Sequence, residues 1–146
     1  MNYIYKKDFR INVDGKYIDE SMTYYISLLS KANLKSIDSI RSSIKKALKI
    51  NRNIPLYINK DTLFIVNKKL DTNGCVLFNY LNMDYYITIN NQTTIYFKNQ
   101  SMVTLEASKY QMESLIQRAK KVLEYFSLNW IILKMYYNIN VNIIRF

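Results

Sequence analysis

Only two glycines occur in the 146 residues of this chain, and both sit where a hairpin would need them. Asp14-Gly15 separates RINV from KYID, and Asn73-Gly74 separates FIVNKKLD from CVLFNY. A type I′ turn needs positive φ at both central residues, which Asp-Gly and Asn-Gly supply at little steric cost. Asn99-Gln100, between TTIYFK and SMVTLEA, reads as a third, weaker turn, and Asn59-Lys60-Asp61 as a tight one. Around these turns the β-rich or alternating runs predict strands at Tyr3–Val13, Pro55–Asn59, Thr62–Val66, Cys75–Tyr80, Tyr85–Ile89, Thr93–Lys98 and Met102–Glu106.

Two segments carry the helical period instead. In SIDSIRSSIKKALKI the apolar residues Ile37, Ile40, Ile44, Ala47 and Leu48 make one buried stripe, and Ser36 can cap the start. In SKYQMESLIQRAKKVLEYF the stripe is Met112, Leu115, Ile116, Ala119, Val122, Leu123 and Phe126, preceded by a Ser108/Gln111 capping box. Met22–Leu29 fits either helix or strand. The expectation is one α+β domain spanning 1–146: an N-terminal hairpin, a basic helix near 36–49, a mostly antiparallel meander of short strands, and an amphipathic helix near 108–126 packed on it.

The composition is globular, 49% hydrophobic and 14% aromatic, which excludes disordered, collagen-like and disulfide-rich classes. Cys75 lies in the apolar run CVLF and reads as a buried thiol in a reducing compartment. MNYIYKKDFR has no apolar core of a signal peptide, and no run reaches the roughly 18 apolar residues of a membrane helix. The expectation is a cytoplasmic protein with no stable membrane insertion.

Catalysis is hard to build from this inventory. There is no histidine, which removes the commonest general base, the Ser-His triads and most zinc sites. One cysteine cannot make a Cys-only metal cluster. With two glycines there is no dinucleotide fingerprint and no P-loop. The acids are scattered, with Asp19-Glu20 the one adjacent pair. We expect a binding protein, not an enzyme, with no cofactor and no metal.

The formal charge is +10, which favours nucleic acid, an anionic membrane face or an acidic partner. AT-rich codon usage also raises Lys content, so distribution matters more than the sum. Lys35 to Lys69 holds nine basic residues against Asp38 and Asp61, a local excess that codon usage does not predict. The helical face Arg41, Ser42, Lys45, Lys46 and Lys49 can contact phosphates, with Arg41 and Arg52 able to enter a narrow A-tract groove. Asn51 and Asn53, flanking Arg52, can read minor-groove acceptors. Lys60, Lys68 and Lys69 stand at a turn and a hairpin end. The plain alternative for all of them is a solvated polar surface. Tyr85-Tyr86 and Tyr136-Tyr137, read as strand residues, could stack on unpaired bases or pack half-buried in a sheet.

From Ile54 to Ala119 the chain resembles the ComK family of competence transcription factors. Pro55, Asp61, Phe64, Cys75, Thr93, Phe97, Asn99, Leu105, Ser108 and Tyr110 match that family's pattern in order and at near-family spacing. Upstream, Ile40–Ile50 keeps a Ser42-Ser43 pair and a Lys45-Lys46 pair. The resemblance implies a transcription activator in the nucleoid that binds paired A/T-rich boxes in double-stranded DNA, largely through the minor groove, as a homo-oligomer, and helps RNA polymerase engage promoters. The C-terminal order of strands and a Ser-capped helix is also similar to LytTR-type DNA-binding domains and to bacterial PH-like modules. The last would imply anionic lipid or a protein partner in place of DNA.

Overall fold

The computed structural model describes residues 1–144. At the N-terminus, β1 (Tyr3–Lys7), β2 (Arg10–Val13) and β3 (Lys16–Ile18) form an antiparallel meander. Asp14 (φ 51°) and Gly15 (φ 95°) make the two-residue turn between β2 and β3. The single strand expected over Tyr3–Val13 is in fact two. Asp8 takes φ 55° and turns the chain between Lys7 and Arg10, which pair across the hairpin. Aspartate tolerates this left-handed region better than most residues because its short polar side chain can bond locally.

Met22–Leu29, ambiguous in sequence, belongs to a helix, α1 (Met22–Ala32). Ser21 caps it by accepting from the Tyr24 N–H at 3.0 Å, and Met22, Ile26 and Ser30 are buried at every fourth position. A short connection leads to α2 (Ile37–Leu48), capped by Ser36 as expected. Its stripe is narrower than the sequence implies. Ile40 and Ile44 are buried and Ile37 and Leu48 half-buried, but Ala47 faces solvent. Lys49 ends the helix in the left-handed conformation (φ 56°), a place usually taken by Gly, while its N–H closes on the Lys45 carbonyl.

The chain then forms β4 (Leu56–Asn59), β5 (Thr62–Val66) and β6 (Val76–Asn79), joined antiparallel. Lys60-Asp61 is the tight turn between β4 and β5. Asn73-Gly74 is not a two-residue hairpin turn. The connection between β5 and β6 is the nine-residue loop 67–75. Asn67 closes its base, donating to the Gly74 carbonyl at 3.1 Å and accepting the Val76 N–H at 2.7 Å. Asp71 at φ 68° and Gly74 at φ 83° let the loop fold back on itself.

Asp71 also ties this loop to α1. Its carboxylate accepts the N–H of Met22 at 2.6 Å and of Thr23 at 3.1 Å, the Thr23 hydroxyl at 2.6 Å, and pairs with Lys6 at 3.3 Å. A carboxylate on the exposed N–H groups of a helix start is favoured by the helix dipole. Partial burial pushes its pKa up, but these hydrogen bonds outweigh that and hold it below the ordinary value of 3.8. A lowered folded pKa stabilises the fold above the unfolded pKa, and that contribution is lost as pH falls through the folded one. Asp71→Asn is therefore expected to cost about 1–2 kcal/mol at neutral pH. In urea titrations the difference from the natural chain should shrink steadily below about pH 4. A difference independent of pH in that range would rule out the charged cap.

The strand order of the first sheet is β3-β2-β1-β6-β5-β4, so β1 inserts beside β6, with Ile4 opposite Leu77. The rest of the chain forms a second sheet, β7 (Met83–Ile89), β8 (Gln92–Phe97) and β9 (Met102–Glu106), in the order β7-β8-β9. The expected single meander is thus two sheets, split where the 3-10 turn Tyr80–Asn82 redirects the chain. Finally α3 (Lys109–Ile144) starts at the Ser108/Gln111 capping box, whose two reciprocal bonds are 2.8 and 3.1 Å. It runs past the expected end at 126, where no Gly or Pro follows to stop it. The pair Tyr136-Tyr137 lies in this helix rather than in a strand, and its side chains are outside the described residues.

The elements stack in three layers. One face of the six-stranded sheet (Ile4, Ile11, Leu56, Phe64, Leu77) packs on α1 and α2 through Met22, Ile26, Ile40 and Ile44. The other face meets the second sheet and α3: Tyr3 stacks on Phe97, and Tyr57 on Phe126 with ring centroids 4.3 Å apart. Among the described residues no helix is long and apolar enough to cross a membrane.

Candidate nucleic-acid interface

Two connections and one residue of α2 meet at one side of this stack. The α2–β4 segment follows the Lys49 turn and brings Asn51, Arg52 and Asn53 to the sheet edge, with Asn53 itself at φ 48°. The β5–β6 loop, anchored by Asp71, presents Lys68 and Lys69 beside it. Arg41, at the margin of the buried stripe of α2, is half-buried and reaches the same place. Arg41, Asn51, Arg52, Asn53, Asn67, Lys68, Lys69, Thr72 and Asn73 line one open cleft of about 710 Å³. Among the described residues lining it there is no carboxylate.

A narrower groove of about 270 Å³ continues from it, sharing Arg52, Asn53, Asn67 and Lys68 and adding Arg118, Tyr110 and Gln111 from α3. Arg118 Nη1 donates to the Arg52 carbonyl at 3.3 Å, which fixes the Arg52 loop against α3. A third depression of about 700 Å³ meets the cleft at Lys68 and Asn73 and runs between the sheets past Tyr3 and Tyr5. Glu106 lines both side grooves and is their one acid among the described residues. Among the described residues the only ion pair is Lys6–Asp71, so none of the cleft cations is neutralised by a neighbour. The arrangement offers several unpaired cations with amide side chains between them, which suits a polyanion that also presents hydrogen-bond acceptors.

Of the residues singled out in sequence, Arg41, Asn51, Arg52, Asn53, Lys68 and Lys69 come together. Ser42, Lys45, Lys46 and Lys49 are exposed on α2 or its end and do not line the cleft. Lys60 is exposed at the far end of β5 from Lys68. A strand of that length puts the two roughly 20 Å apart. Asn67, Thr72, Asn73 and Arg118 escape sequence reading. Arg118 sits beside the α3 stripe, and nothing local connects it to Arg52, 66 residues away.

Cys75 is buried, and that burial pushes its thiol up to about 11, far from a reactive thiolate. Its Sγ lies 3.6 Å from Met22 Sδ, in the core. Tyr85 stacks on Tyr96 with centroids 4.7 Å apart on the outer face of the small sheet, away from the cleft, and Tyr86 packs half-buried against the core. Tyr5 is raised to about 12, first by its hydrogen bond with Tyr17 and then by burial.

Set against known proteins, the chain matches no family model, no curated protein and no solved structure.

Proposed function

We propose that the chain is a DNA-binding transcription regulator of the ComK type, holding A/T-rich duplex in the cleft between the α2–β4 segment and the β5–β6 loop. What supports this reading most is the convergence of Arg41, Arg52, Lys68 and Lys69 around a carboxylate-free cleft from separate parts of the chain. Four cations that approach one another repel, and a cleft of this kind is stable only because water and counterions share it. Counterion release then drives duplex binding. The intervening Asn51, Asn53 and Asn73 suit the acceptor-only minor groove of A·T pairs, whose narrow form attracts Arg. Self-association and contact with RNA polymerase, and a place in the cytoplasm on the nucleoid, follow from the ComK resemblance and belong to the proposal.

Fluorescence anisotropy with A/T-rich and G/C-rich duplexes of equal length, across a salt series, tests it. The expected result is tighter A/T binding that persists near physiological salt, with a log–log slope of about −3.6 for the four cleft cations. Equal, weak binding that vanishes with modest salt would refute the reading. Binding to acidic vesicles without duplex binding would transfer the cleft to anionic lipid.

A further inference from the structure

The β1–β2 hairpin ends in an apolar side chain that nothing in the fold uses. Phe9 is 96% exposed. It sits in the two-residue turn whose other member, Asp8, takes φ 55°, so the backbone holds the ring out at the tip. Lys7 and Arg10 pair on either side of it and are exposed, and with Asp8 they leave the tip net positive. Arg10 lies over the Tyr17 ring at 4.9 Å, so its guanidinium is already positioned. The tip also stands at the same sheet end as the cleft. Lys6 donates its N–H to the Cys75 carbonyl at 3.0 Å, and its Nζ pairs with Asp71 in the β5–β6 loop. Strand rise puts Phe9 roughly 10 Å further along. That is well within one helical turn, about 34 Å, of a duplex lying in the cleft.

We infer that Phe9 is a wedge that enters a base step of the bound duplex and kinks it, with Lys7 and Arg10 holding the flanking phosphates. The inference rests on the duplex-binding reading above and adds a mechanism to it. An aromatic or aliphatic side chain pushed between base pairs from the minor groove unstacks one step, and the bend brings more backbone onto the protein. Flexible TA steps in A/T-rich DNA make that cheap. A membrane fits less well: one phenylalanine gives only marginal attachment to a bilayer, whereas one side chain is enough to open a base step.

The test is end-to-end energy transfer on a labelled A/T-rich duplex with a central TA step, using the full chain, Phe9→Ala and Phe9→Trp. Phe9 is solvent-exposed, so neither substitution threatens the fold. The natural chain and Phe9→Trp should shorten the end-to-end distance, and Phe9→Ala should bind about tenfold more weakly and leave the duplex straight. A duplex that stays straight with the natural chain, or bends equally with Phe9→Ala, overturns the wedge and leaves duplex binding standing. Absence of any duplex binding by the natural chain overturns both. In that case, Phe9-dependent binding to phosphatidylserine vesicles would assign the hairpin to a membrane surface instead.

Discussion

Charge reversal at Arg52, Lys68 and Lys69 will abolish duplex binding, whereas reversal at Lys45 and Lys46 will weaken it only a few-fold. All five are basic and lie within one basic stretch of sequence, so composition treats them alike. The fold does not. Arg52, Lys68 and Lys69 line the cleft, and Lys45 and Lys46 stand outside it on α2. Removing three phosphate contacts should flatten the log–log salt dependence by about 2.7 and cost on the order of a thousandfold near physiological salt. Cations beyond a Debye length of about 8 Å from the phosphates act only through a screened field. Arg52, Lys69, Lys45 and Lys46 are exposed and Lys68 half-buried, and none lies in the apolar core, so the variants should still fold. Anisotropy on both variants, with circular dichroism to confirm folding, decides it. A folded cleft variant with unchanged affinity, or a larger loss from Lys45 and Lys46, would place the polyanion on the helix face.

The largest effect on stability is expected at Asn79. Its side chain is fully buried and makes four hydrogen bonds. Oδ1 accepts the N–H of Leu63 at 3.0 Å and of Leu81 at 3.2 Å, and Nδ2 donates to the carbonyls of Met1 at 3.0 Å and Asp61 at 2.9 Å. One residue therefore joins the β4–β5 turn, the N-terminus and the 3-10 turn where the two sheets part. Asn79→Leu keeps the branched shape but orphans two donors and the Asp61 carbonyl, each costing about 1–3 kcal/mol when desolvated, while the Met1 carbonyl keeps its bond from Asn82 Nδ2 at 3.1 Å. Some of these lie near the surface and will find water, so a loss of about 3–5 kcal/mol is expected. That is a large share of the 5–15 kcal/mol of a typical domain. Urea denaturation reads it directly. Asn79→Asp keeps both acceptor bonds but sets a buried carboxylate oxygen against the Met1 and Asp61 carbonyls, so at neutral pH it should cost at least as much. A loss below about 1 kcal/mol for Asn79→Leu would mean that the network is not what holds the junction.

Much of the local structure was legible without coordinates. The stripes at Ile40 and Ile44 and at Met112 to Val122, the serine caps at Ser36 and Ser108, and the Asp14-Gly15 turn are set by neighbours within a few residues. Local φ preferences and the 3.6-residue period decide such features. The misreadings also have local causes. Asp8 turns the chain without a glycine, splitting the first strand. Asn73-Gly74 satisfies the type I′ pattern, but Asn67 and Asp71 spend their hydrogen bonds on a longer loop. Of the site, the sequence supplied the cations but not their grouping: it favoured the α2 face, and it missed Arg118 altogether.

What sequence alone determined is the capped helix starts, most of the strands and the basic excess between Lys35 and Lys69. Tertiary structure decided the rest. The pairing of Ile4 with Leu77 joins strands far apart in the chain, and no local preference encodes which strand will cover which edge. That choice follows from burying both faces of the large sheet at once, under α1 and α2 on one side and under the small sheet and α3 on the other. The same packing carries Arg41, Arg52, Lys68, Lys69 and Arg118 to one edge. Solvated cations pay little to be exposed wherever they fall, so their positions are inherited from the apolar residues beside them.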